Sequence, residues 1–281
     1  MAKGKRVKGA VANRLSDGRL HLHHGPIDLI CECFGPKNLV EPAYLRAIAR
    51  FESVLDELVS ELPALRSEHQ AVYGQIAGLM KRAVLPFHPA FITPMAAVAG
   101  AVADTILPVM IGPGISKAYV NNGGDIALHL ADGEHMVCAI AGADSTITLS
   151  SQGPVRGIAT SGWRGRSWSL GIADSVSVLG KTSAIADAAA TMIANAIDLP
   201  DHPLISRKPA CDLQSDSDLE TRLVTVDVGH LDFSDVMVAL SRGEAAARRY
   251  YNEGLIVAAA LFLQGESRIV GQIALKEPNF A

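Results

Sequence analysis

Aromatic side chains are scarce: two Trp, five Tyr and seven Phe, or 5% of 281 residues. A surface that stacks nucleic-acid bases needs such rings. Positive charge is not in excess either, since 25 Lys and Arg against 29 Asp and Glu leave a formal net charge of −4. No nucleic-acid partner is expected on that balance. Long apolar runs are missing. Residues 255–263 form the longest, well short of the ~20 residues that a membrane-spanning helix needs, so no membrane association is expected. Lys3, Lys5, Arg6 and Lys8 make a basic start with no apolar segment after it, unlike a secretory signal. A cytoplasmic protein is the resulting expectation.

Cysteine is sparse as well. Cys31, Cys33, Cys138 and Cys211 show no C-x-x-C spacing and read as reduced thiols, the first two on one face of a strand. His21, His23 and His24 cluster, and His129 and His135 lie near Cys138, but neither group has the spacing of a zinc site. The chain also lacks G-x-S-x-G, a Walker A loop and a G-x-G-x-x-G after a strand.

What remains is 49% hydrophobic and 19% charged, the profile of a folded globular chain. Residues 1–281 are read as a single domain. Alanine and glycine carry much of the apolar content, which favours close backbone packing over bulky side chains. Alternation predicts strands over residues 7–12, 19–23 and 27–33. Leu45, Ile48, Phe51, Leu55, Leu58 and Leu62 recur at helical spacing, predicting one helix over 39–62, and a second is expected over 67–82. Thr93-Pro94 then opens an alanine- and glycine-rich helix ending near Asp104. Strands follow at 118–121, 126–130, 136–141 and 145–149. Residues 151–171 read as a long loop, 176–179 as a strand, and 183–197 as another alanine-rich helix capped by Ser183. A polar loop over 198–220, a strand over 222–228, a helix over 233–250 and strands at 255–264 and 268–275 complete the chain. This order gives an α+β fold, a mainly antiparallel sheet flanked by helices. The two alanine-rich helices, each beside a glycine-rich strand turn, hint at pseudo-duplicated halves.

Three segments carry possible chemistry. Asp187 and Thr191 stand four apart on one helix face among alanines. They suit a hard divalent cation, or helix-dipole compensation with a hydroxyl bonded to the backbone, the reading that composition alone favours. Asn122-Gly123-Gly124-Asp125 follows a strand. It either lets backbone amides approach an anionic or planar ligand, or is simply a hairpin turn. Thr160-Ser161-Gly162-Trp163-Arg164-Gly165-Arg166 combines hydroxyls, glycines, an aromatic and two cations. Such a stretch can hold a phosphate and stack a ring, or be an exposed loop.

Taken in order, the helix ending in Ala103-Asp104, Asn122-Gly123-Gly124-Asp125-Ile126, Ala159-Thr160-Ser161-Gly162, Ser175-Val176-Ser177-Val178 and Ala186-Asp187-x-x-x-Thr191 resemble the ApbE superfamily. Its founding members are magnesium-dependent flavin transferases that use FAD to attach FMN to a threonine of a target protein. The chain is more similar still to an uncharacterised ApbE-related family of bacteria and archaea, at Gly25-Pro26-Ile27-Asp28, at Thr93–Asp104 and at Ala186–Thr191. The resemblance implies an ApbE-like fold and a magnesium ion held by Asp187, Thr191 and a backbone carbonyl near Val98. It implies a flavin-like small molecule, FAD or FMN, approached by Asn122, Gly123, Gly124 and Asp125, with Thr160, Ser161 and Gly162 in a loop lining the same cleft. A homo-oligomer is compatible with it. Two departures stand out: Ala99 replaces a lysine of the transferases, and no histidine occurs over 166–174, where they carry His-Ile-x-Asp-Pro with the presumed base. The expectation is therefore a magnesium-dependent transferase or hydrolase acting on a phosphoester or diphosphate; the alternative is a flavin- or nucleotide-binding protein without turnover.

Overall fold

The computed structural model describes residues 9–141 and 145–272. Thirteen strands occur among them: β1 (Val11–Arg14), β2 (Leu20–His24), β3 (Ile27–Phe34), β4 (Lys117–Asn122), β5 (Asp125–Leu130), β6 (His135–Ala139), β7 (Thr146–Ser150), β8 (Gly157–Ser161), β9 (Ser175–Gly180), β10 (Ile205–Pro209), β11 (Leu223–Val228), β12 (Ala258–Leu263) and β13 (Glu266–Gly271). The helices are α1 (Lys37–Phe51), α2 (Val54–Ser60), α3 (Leu62–Leu65), α4 (Gln75–Val84), α5 (Val98–Met110), α6 (Ser183–Ala196), α7 (Ala210–Leu213) and α8 (Phe233–Asn252).

Nine strands form one sheet in the order β1-β2-β3-β4-β5-β8-β9-β12-β13, every neighbouring pair antiparallel. The α+β reading holds, and so does the internal repetition. Hairpin β2–β3, helix α5 and hairpin β4–β5 are matched by hairpin β8–β9, helix α6 and hairpin β12–β13. The first half inserts α1–α4 before its helix; the second inserts β10, α7, β11 and α8 after its own. The halves join at β5–β8, whose register covers only Ile126↔Ile158 and Ala127↔Gly157.

Alternation sorts the two faces of the sheet. Along β3, Ile27, Leu29, Cys31 and Cys33 are buried under the helices, while Asp28, Ile30 and Glu32 face the other way. Both thiols thus lie on one inner face, as expected. The main core lies between the helices and that face. A second, smaller core forms where hairpin β6–β7 folds over the opposite face, joining Ile140, Ile147 and Leu149 to Leu128, Ile158 and Leu179. Strand β9 is covered on both sides and is buried throughout.

The small residues of α5 and α6 serve their mutual approach. Ala101, Ala103, Ala186, Ala188 and Ala189 are fully buried, and a Cβ on Gly100 would lie 2.4 Å from the Ser183 carbonyl oxygen. The helices meet at their N-terminal ends, and each accepts otherwise free amides at the start of the other. Asp104 of α5 accepts the Ser183 and Ala184 amides of α6 at 3.0 and 2.8 Å. Asp187 of α6 accepts the Gly100 amide of α5 at 3.0 Å. The residue pairs are 83 apart in each case, 100 with 183 and 104 with 187, so the exchange follows the internal repetition.

Several expected boundaries change. The helix over 39–62 is interrupted at residues 52–53, where the Ser53 hydroxyl donates to Glu57 at 2.6 Å and Arg50 forks onto the same carboxylate at 2.7 and 2.9 Å. Such side-chain bonding competes with the helical backbone ladder. The second helix starts at Gln75 rather than 67, because Glu61 takes the Tyr73 and Gly74 amides at 2.6 and 2.7 Å and holds the preceding chain extended. The loop over 151–171 contains β8, a central strand of small residues. The loop over 198–220 contains β10 and α7; β10 is too polar to read as a strand and forms a separate two-stranded ribbon with β11. The N-cap of α6 is Thr182, whose hydroxyl accepts the Ile185 amide, not Ser183. Residues 7–8 and 273–275 of the expected first and last strands lie outside the described residues.

Candidate functional site

The junction of the two halves assembles most of the singled-out residues. Gly123 and Gly124 form the two-residue turn between Asn122 and Asp125. Their φ angles of 66° and 116° belong to the region that glycine enters without a Cβ penalty. The Asn121 side-chain oxygen fixes the turn by accepting the Gly124 amide at 2.8 Å. From here the polar groups part into two layers.

One layer faces an open cleft of about 840 Å³ on the side of the sheet away from the helices. Tyr119, Ile126 and Ile158 floor it, and Met136, Cys138 and Ile140 of the β6–β7 hairpin wall it. The Gly123–Gly124 turn, Thr160, Ser161, Gly162 and Arg164 form its polar end. Thr160 and Ser161 stand on β8 rather than in a loop, a correction that gives them a fixed position. The Thr160 hydroxyl is 2.9 Å from that of Ser177.

The other layer is buried behind the turn. Asn122 and Asp125 turn away from the cleft, which sequence spacing did not separate from their glycine neighbours. Asn122 donates to the Ala99 carbonyl at 3.1 Å, tying β4 to the first turn of α5. Asp125 accepts the Thr160 amide at 3.1 Å, beyond the point where the β5–β8 ladder ends. Burial pushes the Asp125 carboxyl up to about 7, against the Thr160 amide and the Arg166 charge, which pull it down. Burial also holds Asp187 well above the usual carboxylate range, and the Asp125 charge adds to it; the Gly100 and Ala99 amides oppose both. Asp104 is pushed up to about 6 by burial, against the two amides it accepts.

Asp187 thus sits against the first turn of α5, which begins at Val98, and Thr191 lies half-buried one turn further along α6. The helix-dipole reading of Asp187 has a real counterpart, although the helix it caps is α5 and not its own. The Ser183 hydroxyl, fully buried, has no hydrogen-bond partner among the described residues. All these donors are oxygens, the set that hard divalent cations prefer.

Sequence reasoning missed Asp104 as a partner of α6, and it missed the hairpin that walls the cleft. The segments 136–141 and 145–149 were legible as strands, but nothing local says which surface such a strand covers. The stretch without histidine also gains a physical reading. Its Ile-x-Asp window is Ile172-Ala173-Asp174, preceded by Gly171. A Cβ at Gly171 would lie 2.1 Å from the Ala194 carbonyl oxygen, so the end of α6 closes that position to any side chain.

Among the described residues, no helix is long and apolar enough to cross a membrane. A UPF0280 protein of Methanothrix thermoacetophila is 40% identical over 109 residues, 37% of this chain and 46% of that protein. One of Methanospirillum hungatei is 31% identical over 166 residues, 57% of this chain and 67% of its own. The chain spans about half the length of many of the curated relatives it matches. The apo form of Pseudomonas stutzeri flavinyl transferase ApbE aligns over 97% of this chain and 96% of its own at 12% identity, with a TM-score of 0.45, too distant a likeness to assign an activity. A family model described as AbpE bacteria matches residues 12–269. That match covers both halves and the junction between them, and the chain belongs to this AbpE family of bacteria.

Proposed function

We infer that this protein binds a flavin nucleotide, FAD or FMN, or a closely related phosphorylated ring, in the cleft, together with a magnesium ion at Asp187. The cleft carries the inference: about 840 Å³ lies within the roughly 300–1,000 Å³ usual for small-molecule sites. Its apolar floor and wall, Ile126, Ile158, Met136 and Ile140, suit a flat ring. At its polar end the Gly123–Gly124 turn, the Thr160 and Ser161 hydroxyls and Arg164, 3.9 Å from Asp174, offer donors to phosphate oxygens.

The buried layer fits the cation. Asp125 and Asp187 are two neighbouring carboxylates that burial disfavours as anions, and a divalent ion offsets both charges. Asp187, the Thr191 hydroxyl and the Val98 carbonyl would hold it. Bound there, the ion would neutralise the carboxylate pair behind the turn and so steady the backbone that meets the ligand. The chain's own part is positioning: Asp125 and Asn122 fix the β4–β5 turn to β8 and α5, so that the glycine backbone and the Thr160 and Ser161 hydroxyls hold one geometry. The chemistry consistent with this is transfer or cleavage at the ligand's diphosphate. A binding protein without turnover is the second reading, favoured by Gly171, which leaves no room for a histidine where the transferases carry one.

Thermal unfolding of the full chain with FAD, with and without magnesium, tests the first reading. FAD should raise the midpoint, and magnesium should raise it further. Asp187→Ala should remove the magnesium-dependent part. Absence of any FAD effect, or a magnesium increment that survives Asp187→Ala, would overturn it. AMP released from FAD on incubation with small acceptors separates turnover from binding alone.

A further inference from the structure

A smaller cavity of about 260 Å³ adjoins the cleft, lined by Asp28, Ile30, Asn121, Gly123, Gly124 and Arg166. Asn121, Gly123 and Gly124 border both spaces, so the glycine turn is a shared wall. The cavity carries opposite charges on residues from distant parts of the chain. Asp28 projects from the open face of β3. His21 on the neighbouring strand holds its orientation, with Nε2 3.0 Å from Oδ1; facing a carboxylate, which only accepts, the ring nitrogen is the donor. Arg166 enters from the segment after β8. A Cβ on Gly123 would lie 1.7 Å from its Nη2, so the guanidinium occupies room that only glycine leaves. Arg166 is exposed, and a guanidinium forks readily onto a carboxylate or phosphate.

We propose that this cavity is an acceptor subsite that takes a small zwitterion of the amino-acid class, its cationic end on Asp28 and its anionic end on Arg166. The role as acceptor rests on the flavin-nucleotide reading of the adjoining cleft; the ligand class rests on the cavity's own charges. A threonyl side chain within a protein is neutral and satisfies neither charge, so the cavity selects a free small molecule over a protein acceptor. The volume points the same way, since it admits a molecule of amino-acid size and leaves the larger cleft to the nucleotide.

Calorimetric titration of the full chain, without nucleotide, with L-serine, ethanolamine and glycolate tests the charge requirement. L-serine carries both charges and each of the others only one. It should bind roughly tenfold or more tightly than either, the scale of one charge-assisted hydrogen bond. Asp28→Asn and Arg166→Gln should each weaken L-serine by about the same factor and leave FAD affinity unchanged. Equal affinity for the three probes, no binding of L-serine, or L-serine binding untouched by both substitutions would overturn the proposal. So would a loss of FAD affinity in either variant, which would place the cavity inside the nucleotide site. If FAD fails to bind while the preference for L-serine persists, the reading of the cleft falls and the zwitterion site stands.

Discussion

Asp104 and Asp187 each stand inside one helix and accept amides at the start of the other, which makes two acidic residues structural as well as chemical. A carboxylate near helix N-terminal amides is favoured as an anion, yet burial outweighs that at Asp104, pushed up to about 6. The folded protein therefore holds this proton more tightly than the unfolded chain, whose aspartates titrate near 3.9. The contribution is fully present below the unfolded value and is lost as pH rises through about 6. Asp125, pushed up to about 7, acts with the same sign. Urea unfolding between pH 4.5 and 7.5 should show stability falling as pH rises, more shallowly in Asp104→Asn; a slope unchanged by that substitution would refute the role of Asp104. In the sequence both aspartates were visible as carboxylates among alanines. What they bind was not, because the partner amides are 79 to 87 residues away and an amide carries no sequence signal.

At the level of elements, close approach decides more than propensity does. Gly100 lies where α5 meets the start of α6, and its missing side chain is the clearance. Gly100→Ala raises intrinsic helix propensity but drives a methyl into the Ser183 carbonyl. A net loss of about 1–3 kcal/mol is expected, the usual cost of overpacking, measurable as a lower denaturation midpoint with an unchanged slope. A neutral or stabilising result would mean that the two helices separate easily. Alternation and helical spacing revealed most elements, including the buried face of β3 and the alanine-rich α5 and α6. They failed at β8 and β10 for opposite reasons. Gly157, Ala159, Thr160 and Ser161 are too small to mark a strand, and β10 alternates between half-buried and exposed residues such as Ser206 and Lys208 with no buried position. The candidate site was legible to the same degree: small residues and turns showed in the sequence, whereas the division of Asn122 and Asp125 from Gly123 and Gly124 depends on the pleat and on what packs behind it.

For the whole molecule, the two halves share a two-residue ladder at β5–β8, the crossing of α5 and α6, and contacts such as the Phe87–Tyr250 ring pair and the Arg66–Asp216 bond. Because each helix accepts first-turn amides of the other, separating the halves leaves the Gly100, Ser183 and Ala184 amides without these carboxylates. Denaturation should follow one transition: far-UV circular dichroism, which reports both halves, should coincide with the fluorescence of Trp163 and Trp168, which reports the second. Separate midpoints would show that the halves unfold independently. The β6–β7 hairpin lies in the chain between these halves and forms one wall of the cleft. The tether between the repeated units is therefore also the boundary of the ligand space. In a lineage built this way, lengthening or shortening one connector would redraw which molecules are admitted and leave both repeats and the carboxylate layer behind them intact.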